Sequence, residues 1–435
     1  MERDWLRNKG LDYLDGTLRV GSHSYEELAD RHGTPLYVYD EATVRRRYSR
    51  LREVLSERYD DVRVHYAVKA NSNLALLRVL QQEGAGVDCV SPGEVYLALK
   101  AGFPPEKVLY TGNYFSAEEL EFAHEKGVMV NLDAPSHVRH FARAAARSDG
   151  PKPLVSFRVN PEFGAGHHEH VFTAGKHVKF GILDDQIVDA YRAAQRAGFE
   201  RFGIHMHIGS GILDVDKFVR AAEKFLDVAG LVRRELDLKF EFLDFGGGLG
   251  IPYRLEEEPL DLHAYASSVV GLFKRKISEL DLGSPAFVVE PGRYLVAEAG
   301  TLLTTVTTVK RTTSKTFVGV DAGFNVLVRP TMYGSYHHVL PATPRDGARS
   351  RVDVVGQICE SGDVLAKDRE LPPLEEGDRL VFLDAGAYGF SMSSEYNSRP
   401  RPAEVLLSGA ESHVVRERER IEDLDARQRV PPHLR

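Results

Sequence analysis

The sequence is poor in cysteine: its 435 residues include only two, Cys89 and Cys359. Two cysteines cannot form a disulfide framework, which argues against a small secreted scaffold and suits a reducing cytoplasm. A long basic run is also missing, and the formal net charge is −8. This charge balance argues against nucleic acid or an anionic membrane as the main partner. We therefore expect a small molecule as the partner.

Long apolar stretches are absent as well. No run approaches the roughly 18 apolar residues that indicate a membrane-spanning helix, and the first residues, MERDW, contain no apolar core of a signal peptide. We expect a cytoplasmic protein that does not span a membrane. A hydrophobic content of 43% over this length is enough for two domains, or for one large barrel with an appendage.

Short apolar strands alternate with helical patterns or longer loops from about residue 42. Eight β/α units over roughly 250 residues are typical of a closed parallel TIM barrel. The predicted strands cover residues 62–68, 86–90, 108–111, 128–131, 154–159, 202–208, 240–245 and 287–290. The sequence thus predicts an α/β protein with a (β/α)8 barrel, the cofactor-binding domain, over residues 42–298.

The pattern changes after residue 298 to β-branched, threonine-rich segments without convincing helices. Strands are predicted at residues 301–308, 316–320, 352–358, 379–384 and 403–406. They indicate an all-β, Greek-key-like domain over residues 299–413, completed by strands from residues 1–41. The remaining tail, residues 414–435, is rich in Arg and Glu and is predicted to be a solvated helix or a disordered end.

Lys69 follows the first predicted barrel strand directly. A partly desolvated amine at a barrel mouth can attack an aldehyde carbon to form a Schiff base. Most lysines at strand ends are merely solvated, so the argument depends on the other strand ends, which meet at the same face. Polar residues recur there: Asp88, Asn113, Asn131 with Asp133, Arg158 with Asn160, His207 with Ser210, Asp244, and Glu290 with Arg293. We expect them to surround one site.

Three consecutive glycines, Gly246, Gly247 and Gly248, follow the seventh predicted strand. Their backbone N–H groups could turn toward a phosphate, and a mere tight turn is the structural alternative. A Rossmann loop is disfavoured because Ile251 stands where the last glycine of G-x-G-x-x-G should be. Since barrels often hold phosphate near strands seven and eight, the position favours phosphate binding.

Glu290 and Arg293 close the eighth predicted strand around a Pro-Gly turn. A salt bridge between the two is the structural alternative. In the functional interpretation, Glu290 keeps a pyridine nitrogen protonated so that the ring can accept electrons. Arg293 would then hold an anion, either a cofactor phosphate or a substrate carboxylate.

His205 and His207 alternate along the sixth predicted strand and so share one of its faces. A metal pair is conceivable, but no zinc spacing with Cys or Glu is present, and we expect no metal. We expect His207 to pack its ring against a flat cofactor and Ser210 to donate to phosphate. The histidine-rich stretch at residues 166–171 is predicted to be a mobile lid rather than a set of ligands.

Cys359 and Glu360 follow an apolar strand of the β region, beside a glycine turn. A free cysteine is usually a small buried hydrophobe. Here it could instead be a thiol proton donor, next to a carboxylate that recognises an ammonium group. Arg329, Tyr333 and Tyr388 are further candidates for contacts with a substrate.

Together these motifs resemble the alanine-racemase-like barrel group of pyridoxal-phosphate enzymes, also called fold type III, and within it the diaminopimelate decarboxylases. The resemblance spans nearly the whole chain. It is carried by residues 65–71, 88–94, 179–181, 205–210, 246–248, 290–293, 329–336, 359–363 and 387–402.

The resemblance implies a role for each candidate around pyridoxal 5'-phosphate. The catalytic residues would be Lys69, which forms the Schiff base, His207, which stacks on the ring, and Cys359, the acid. The resemblance assigns cofactor binding to Lys69, Asp88, His207, Ser210, Gly246, Gly247, Gly248, Glu290, Gly292, Arg293 and Tyr388, and substrate binding to Arg293, Arg329, Tyr333, Glu360 and Tyr388. It also implies a homodimer in which Cys359 and Glu360 reach the active site of the partner subunit.

The implied reaction is the decarboxylation of meso-2,6-diaminopimelate to L-lysine and CO2, the last step of lysine biosynthesis. One alternative is a decarboxylase of the same fold for ornithine, arginine, lysine or a carboxylated polyamine, substrates without the distal carboxylate that Arg329 suits. A racemase of the alanine type would carry arginine where Glu290 stands. A non-catalytic cofactor-binding homologue is a third alternative, against which intact Lys69, Cys359 and Glu290 argue.

Overall fold

The computed structural model describes residues 2–147, 152–161 and 179–434. These residues group into two compact units. The first comprises Met1–Thr43, Tyr253–Glu257 and Val296–Arg435, and the second comprises Val44–Pro252 and Glu258–Leu295. The predicted lid at residues 166–171 lies outside the described residues. Within the described ranges, no helix combines the length and apolarity needed to cross a membrane.

The N-terminal segment contains a small three-stranded sheet. The elements of this segment are α1 (Glu2–Asn8), β1 (Leu11–Leu14), β2 (Thr17–Val20), β3 (His23–Ser24), α2 (Tyr25–His32) and β4 (Leu36–Asp40). Strands β1, β2 and β3 pair in that order. Ser24 caps α2, because its hydroxyl accepts from the N–H of Glu27 while the Glu27 carboxylate accepts from the N–H of Ser24.

Eight parallel strands form a closed barrel, which confirms the predicted (β/α)8 architecture. The strands are β5 (Val62–Ala67), β6 (Gly86–Cys89), β7 (Val108–Tyr110), β8 (Met129–Leu132), β9 (Val155–Val159), β10 (Phe202–Met206), β11 (Phe240–Asp244) and β12 (Ala286–Val289). Pairing of β12 with β5 closes the ring. Each strand lies within two residues of its predicted bounds.

Helices separate most of the barrel strands. They are α3 (Glu41–Ser56), α4 (Leu74–Gln82), α5 (Pro92–Lys100), α6 (Ala117–Glu125), α7 (His137–Ala145), α8 (Asp184–Arg196), α9 (Val215–Leu236), α10 (Leu262–Tyr265), α11 (Gly271–Glu279) and α12 (Arg293–Val296). A π-helical turn, Ala266–Val270, joins α10 to α11. Because apolar periodicity is similar in α- and π-helical turns, the sequence predicted one uninterrupted helix over residues 261–280.

The barrel interior changes from apolar to polar along the strands. A cluster of buried side chains is formed by Leu109, Leu154, Phe242, Ala286 and Val288, with Met129 packed against it. Because side chains two positions apart on a strand point the same way, this cluster is followed by a polar layer nearer the carboxyl ends. The layer includes Asn131, Ser156, Asp244 and Glu290, all buried. The alternation of side chains along the strands thus places a buried polar layer next to the barrel mouth.

The β domain is a mixed, nine-stranded sheet. Its remaining elements are β13 (Gly300–Arg311), β14 (Thr316–Val320), α13 (Arg329–Tyr333), β15 (Val339–Pro341), β16 (Ser350–Val355), β17 (Val364–Leu371), β18 (Arg379–Phe382), β19 (Ala403–Ser408) and β20 (Glu411–Arg416). The order is β17-β16-β14-β13-β4-β19-β20, with β18 paired to both β13 and β15. The pairs β14–β16 and β4–β19 run parallel.

Both ends of the chain contribute to this sheet. Strand β4 lies between β13 and β19, so an N-terminal strand does complete the β domain, whereas β1 to β3 do not join the nine-stranded sheet. Residues 414–416, predicted as the start of a solvated helix or disordered tail, instead end strand β20. Antiparallel pairing with β19 gives their backbone groups partners there.

Candidate active site

Lys69 lies immediately beyond β5, in the single 3-10 turn Val68–Ala70. Its Nζ donates to Oδ2 of Asp88 over 2.8 Å, and the Asp88 side chain is almost fully buried. The amine is therefore ion-paired, and not merely desolvated as the sequence suggested. Burial and the nearby charge of Glu290 raise the pKa of Asp88, an effect that Lys69 opposes.

Glu290 follows β12 and is 4% exposed. Its Oε2 lies 3.0 Å from Nε2 of His205, whereas its buried Oε1 has no hydrogen-bond partner among the described residues. Burial alone would raise the pKa of Glu290, but the charge of His205 and the hydrogen bond from it, with a smaller effect of Lys69, lower this pKa below its usual range. Glu290 is thus a buried carboxylate with one oxygen available to a protonated ring nitrogen.

Asp244 ends β11 beside this pair. Its Oδ1 accepts the N–H of Gly246 over 2.8 Å. Burial, and next the charge of Glu290, raise the pKa of Asp244 well above its usual range. A ring nitrogen of His205, a carboxylate oxygen of Asp244 and a carboxylate oxygen of Glu290 all lie within 4.8 Å of one another. From the sequence, His205 was weighed only as a possible metal-binding partner of His207. In the structure it pairs with Glu290.

The three glycines let the loops after strands β10, β11 and β12 approach closely. A Cβ on Gly247 would lie 2.3 Å from the backbone oxygen of Glu290, and a Cβ on Gly246 would lie 2.3 Å from that of Met206. The N–H of Gly247 donates to Nδ1 of His207 over 3.0 Å. The predicted phosphate loop therefore also orients the His207 ring, whose pKa burial lowers well below its usual range.

Arg293 begins α12, directly after Gly292, and is 3% exposed. Its Nη2 donates to Oγ of Ser210 over 3.1 Å. The structure pairs Glu290 with His205 and Arg293 with Ser210, contacts other than the Glu290–Arg293 salt bridge that the sequence left open. A guanidinium held beside a serine hydroxyl is suited to an anion such as phosphate.

The barrel residues fit pyridoxal phosphate. Lys69 supplies an amine for the aldehyde, and the available oxygen of Glu290 matches a protonated pyridine nitrogen. Gly247 leaves no room for a side chain against Glu290, and Ser210 with Arg293 offers donors for a phosphate. The barrel unit thus offers groups suited to the aldehyde, the ring nitrogen and the phosphate of this cofactor.

A second cluster in the β domain unites three predicted substrate residues. The Arg329 guanidinium lies 5.6 Å from the ring centroid of Tyr333 and 5.5 Å from that of Tyr388. Its Nη2 also donates to Oγ of Ser335 over 3.1 Å, and the residue is 2% exposed. The backbone of Tyr388 has a φ of 57°, which turns the chain sharply at this ring. Two aromatic walls thus hold one guanidinium in place.

Cys359 and Glu360 are held by residues that sequence reasoning did not single out. Cys359 is an exposed free thiol, and its N–H donates to Oδ1 of Asn397 over 3.1 Å. The hydroxyl of Tyr396 donates to Oε1 of Glu360 over 2.5 Å. These partners lie 38 and 36 positions away, so no local spacing links them. Their only signal is their place within residues 387–402, which carry part of the resemblance.

Comparison with known proteins gives concordant results. Residues 41–297 match the family model described as the pyridoxal-dependent decarboxylase, pyridoxal binding domain. Diaminopimelate decarboxylase of Methanothermobacter thermautotrophicus is 53% identical over 421 residues, which is 96% of this chain and 97% of that protein. The counterpart from Pseudomonas aeruginosa is 41% identical over 97% of this chain and 99% of its own length.

Solved structures show the same similarity. A crystal structure of diaminopimelate decarboxylase from M. jannaschii with L-lysine has a TM-score of 0.92 at 35% identity, covering 99% of this chain and 100% of that chain. A crystal structure of the Helicobacter pylori enzyme with L-lysine has a TM-score of 0.85 at 36% identity, covering 92% and 98%.

Proposed function

The chain belongs to the pyridoxal-dependent decarboxylases, and from that premise we infer that it removes CO2 from meso-2,6-diaminopimelate to give L-lysine. Relatives that match nearly the full length, at 53% and 41% identity, are diaminopimelate decarboxylases. The observation that carries the chemistry is Glu290, a buried carboxylate with one available oxygen at the end of the eighth barrel strand. It is the group that a protonated pyridine ring requires.

The barrel residues would hold the cofactor at defined points. Lys69 would attach its aldehyde carbon, Glu290 would accept a hydrogen bond from its ring nitrogen, and Ser210 with Arg293 would bind its phosphate. His207, neutral and oriented by Gly247, would pack against the ring. Bound pyridoxal phosphate supplies an electron sink for the electron pair left when the carboxylate departs as CO2.

Protons are moved by the chain's own groups. Asp88, 2.8 Å from the Lys69 amine, is placed to exchange a proton with that nitrogen when the substrate amine takes its place. We assign Cys359 as the acid that returns a proton to the substrate carbon after CO2 leaves. Its exposed thiol suits a donor that must meet a bound substrate.

The substrate has a second amino-acid centre, which needs one partner of each charge. Arg329, fixed between Tyr333 and Tyr388, is assigned to the distal carboxylate. Glu360, whose Oε1 accepts from Tyr396, is assigned to the distal ammonium. Ornithine and lysine lack the distal carboxylate, so they could not form the charge-assisted contact assigned to Arg329.

We further propose a homodimer in which Cys359 and Glu360 serve the active site of the partner subunit. The support is that both side chains belong to an exposed turn of the β domain. A reduced Cys359 thiol is also required, which fits a cytoplasmic setting. The substrate itself is a small amino acid, so neither nucleic acid nor membrane enters the proposal.

Substrate choice is tested by CO2 release. Purified holoenzyme should release CO2 from meso-diaminopimelate with a kcat/KM at least about a thousandfold above that for ornithine, because ornithine has no distal carboxylate for the Arg329 guanidinium to bind. Arg329→Lys should lower the ratio of the two kcat/KM values, since lysine lacks the planar guanidinium that binds a carboxylate through two hydrogen bonds. Equal rates on ornithine would contradict the assignment of the substrate.

Cofactor attachment is tested separately by borohydride reduction. Reduction of the holoenzyme followed by peptide mapping should place a pyridoxyl group on Lys69. The matched variant Lys69→Arg, which retains a cation for Asp88, should show no such adduct. An adduct on another lysine of the wild-type chain would overturn the role of Lys69.

A further inference from the structure

We propose that Asp244 is a neutral carboxylic acid in the holoenzyme, and that Asp244 and His205 each donate a hydrogen bond to Glu290 and so hold it as an acceptor for the ring nitrogen. Asp244 and His205 are positioning residues, because they act through Glu290. The inference rests on the proposed function, since it takes Glu290 as the partner of that nitrogen.

The first donor is defined by contact geometry. Nε2 of His205 lies 3.0 Å from Oε2 of Glu290, and both side chains are nearly completely buried. Because an ionised carboxylate only accepts, Nε2 must carry the proton in this bond. Nδ1 of His205 is buried without a hydrogen-bond partner among the described residues. His205 therefore directs its hydrogen bonding toward Glu290.

The second donor follows from two buried oxygens without partners. Within the described part of the chain, Oδ2 of Asp244 and Oε1 of Glu290 are both buried and accept no hydrogen bond. The two carboxyl groups also belong to one cluster whose ligating atoms lie within 4.8 Å of one another. Two carboxylates this close cannot both ionise at low cost in a buried site. One proton between them removes the repulsion: the hydroxyl of a neutral Asp244 can donate to Oε1 of Glu290, and this oxygen keeps a second lone pair to accept from the ring nitrogen.

The surroundings decide which carboxyl group carries this proton. Glu290 has the ring N–H of His205 as a donor, whereas the donor bonded to Asp244 is the backbone N–H of Gly246. The ionised form is favoured where the stronger donor lies, so the proton belongs to Asp244. The opposite shifts of the two pKa values, upward for Asp244 and downward for Glu290, agree with this assignment.

An asparagine can imitate a neutral aspartic acid but not an aspartate. In Asp244→Asn, the amide oxygen can still accept from Gly246 while the amide NH2 donates to Glu290. This variant should keep the dissociation constant for pyridoxal phosphate within about threefold of the wild-type value. Asp244→Leu removes the donor and should weaken cofactor binding by about tenfold to a hundredfold. The corresponding variants at the first donor are His205→Gln, which keeps an N–H donor for Glu290, and His205→Leu, which removes it.

The experiment uses full-length wild-type and variant chains. The dissociation constant for pyridoxal phosphate is measured by absorbance titration, and thermal midpoints are recorded to separate misfolding from loss of positioning. Infrared spectra of the wild-type holoenzyme at neutral pH should contain the C=O stretch of a protonated carboxyl group that Asp244→Asn lacks. A purely structural role for Asp244 would not produce this band.

Three outcomes would overturn the inference. The first is an Asp244→Asn variant as impaired as Asp244→Leu in cofactor binding. The second is the absence of the protonated-carboxyl band from the wild-type holoenzyme. The third is a stoichiometric divalent metal in the wild-type chain that Asp244→Asn lacks, because the cluster would then be a cation site. Failure of wild-type protein to bind pyridoxal phosphate at all would instead contradict the proposed function, so the two failures are distinguishable.

Discussion

At the scale of single residues, burial keeps one histidine of the barrel uncharged. His65 on β5 is 4% exposed, and its ring fills the space over Gly86, where a Cβ would lie 2.3 Å from Cδ2 of the histidine. Burial lowers the pKa of His65 from 6.5 to about 4, although the charge of Glu290 opposes the shift. The ring is therefore neutral at neutral pH.

This neutral histidine predicts a pH dependence of stability. An unfolded chain protonates His65 near pH 6.5, whereas the folded chain does so only near pH 4. The stabilisation of the folded state that neutral His65 contributes is present above about pH 6.5 and is lost as the pH falls toward 4. Between these values, the free energy of unfolding of the wild type should fall by roughly 3 kcal/mol more than that of His65→Gln. Urea unfolding over this range measures the difference, with His413→Gln as the exposed control. Equal pH slopes for wild type and His65→Gln would refute the prediction.

Gly247 predicts a steric effect on cofactor binding. In Gly247→Ala the new Cβ would meet the backbone oxygen of Glu290 at 2.3 Å, so the loop after β12 must shift. We expect the affinity for pyridoxal phosphate to fall by about tenfold to a hundredfold, as overpacking would produce. Absorbance titration provides the dissociation constant. Gly271→Ala, with nothing within 4 Å of its Cβ, is the control and should bind normally. Unchanged binding by Gly247→Ala would show that the loop tolerates a side chain.

At the scale of elements, the N-terminal helix α1 leads into a buried ion cluster of the β domain. Lys9 follows α1, and its Nζ lies 2.7 Å from Oε1 of Glu298 and 2.9 Å from Oδ1 of Asp384. All three side chains are at most 3% exposed. The amine also lies 4.6 Å from the ring centroid of Trp5 on α1. Residues from three distant parts of the chain thus meet at one ammonium group.

Removal of this ammonium should destabilise the β domain strongly. Lys9→Met leaves two buried carboxylates without their shared cation, so the free energy of unfolding should fall by about 3–5 kcal/mol. Chemical denaturation of the holoenzyme measures the change. Arg3→Gln removes an exposed ion pair with Asp12 from the same segment and should leave the midpoint almost unchanged. Similar midpoints for Lys9→Met and Arg3→Gln would indicate that the cluster contributes little.

At the scale of the whole molecule, the chain divides the residues to which we assign functions between two units. Lys69 and Glu290 belong to the unit that contains the barrel, whereas Arg329, Cys359 and Glu360 belong to the unit that contains the nine-stranded sheet. The N- and C-terminal parts of the chain are joined in that sheet, because β4 lies between β13 and β19. We proposed that Cys359 of one subunit serves the active site of its partner, and this makes the division testable.

A subunit-mixing experiment tests the shared site. Lys69→Ala and Cys359→Ala should each be inactive alone. If each active site takes Lys69 from one subunit and Cys359 from the other, mixed dimers contain one intact site. Co-refolded equal mixtures should then recover about a quarter of the wild-type activity on meso-diaminopimelate. Recovery should fail for Lys69→Ala mixed with the double variant. An inactive mixture of the two single variants, with dimers present by light scattering, would place both residues in one subunit.

The sequence by itself determined the order of elements and the residues at the strand ends. Period-two alternation and helical spacing are local properties, so they predicted eight barrel strands within two residues of their bounds. Lys69, Asp88 and Glu290 were predicted as site residues because each lies at or near the carboxyl end of an apolar strand. Composition likewise separated the threonine-rich β region from the barrel.

The tertiary structure decided which of these groups pair, because their partners are far apart in the chain. His205 meets Glu290 across 85 positions only because β10, β11 and β12 are neighbours in a closed ring. Asn397 reaches Cys359 through a backbone turn with positive φ that no spacing rule predicts. The charge of each buried acid follows from these contacts, since burial and neighbouring donors, and not residue type, set its protonation.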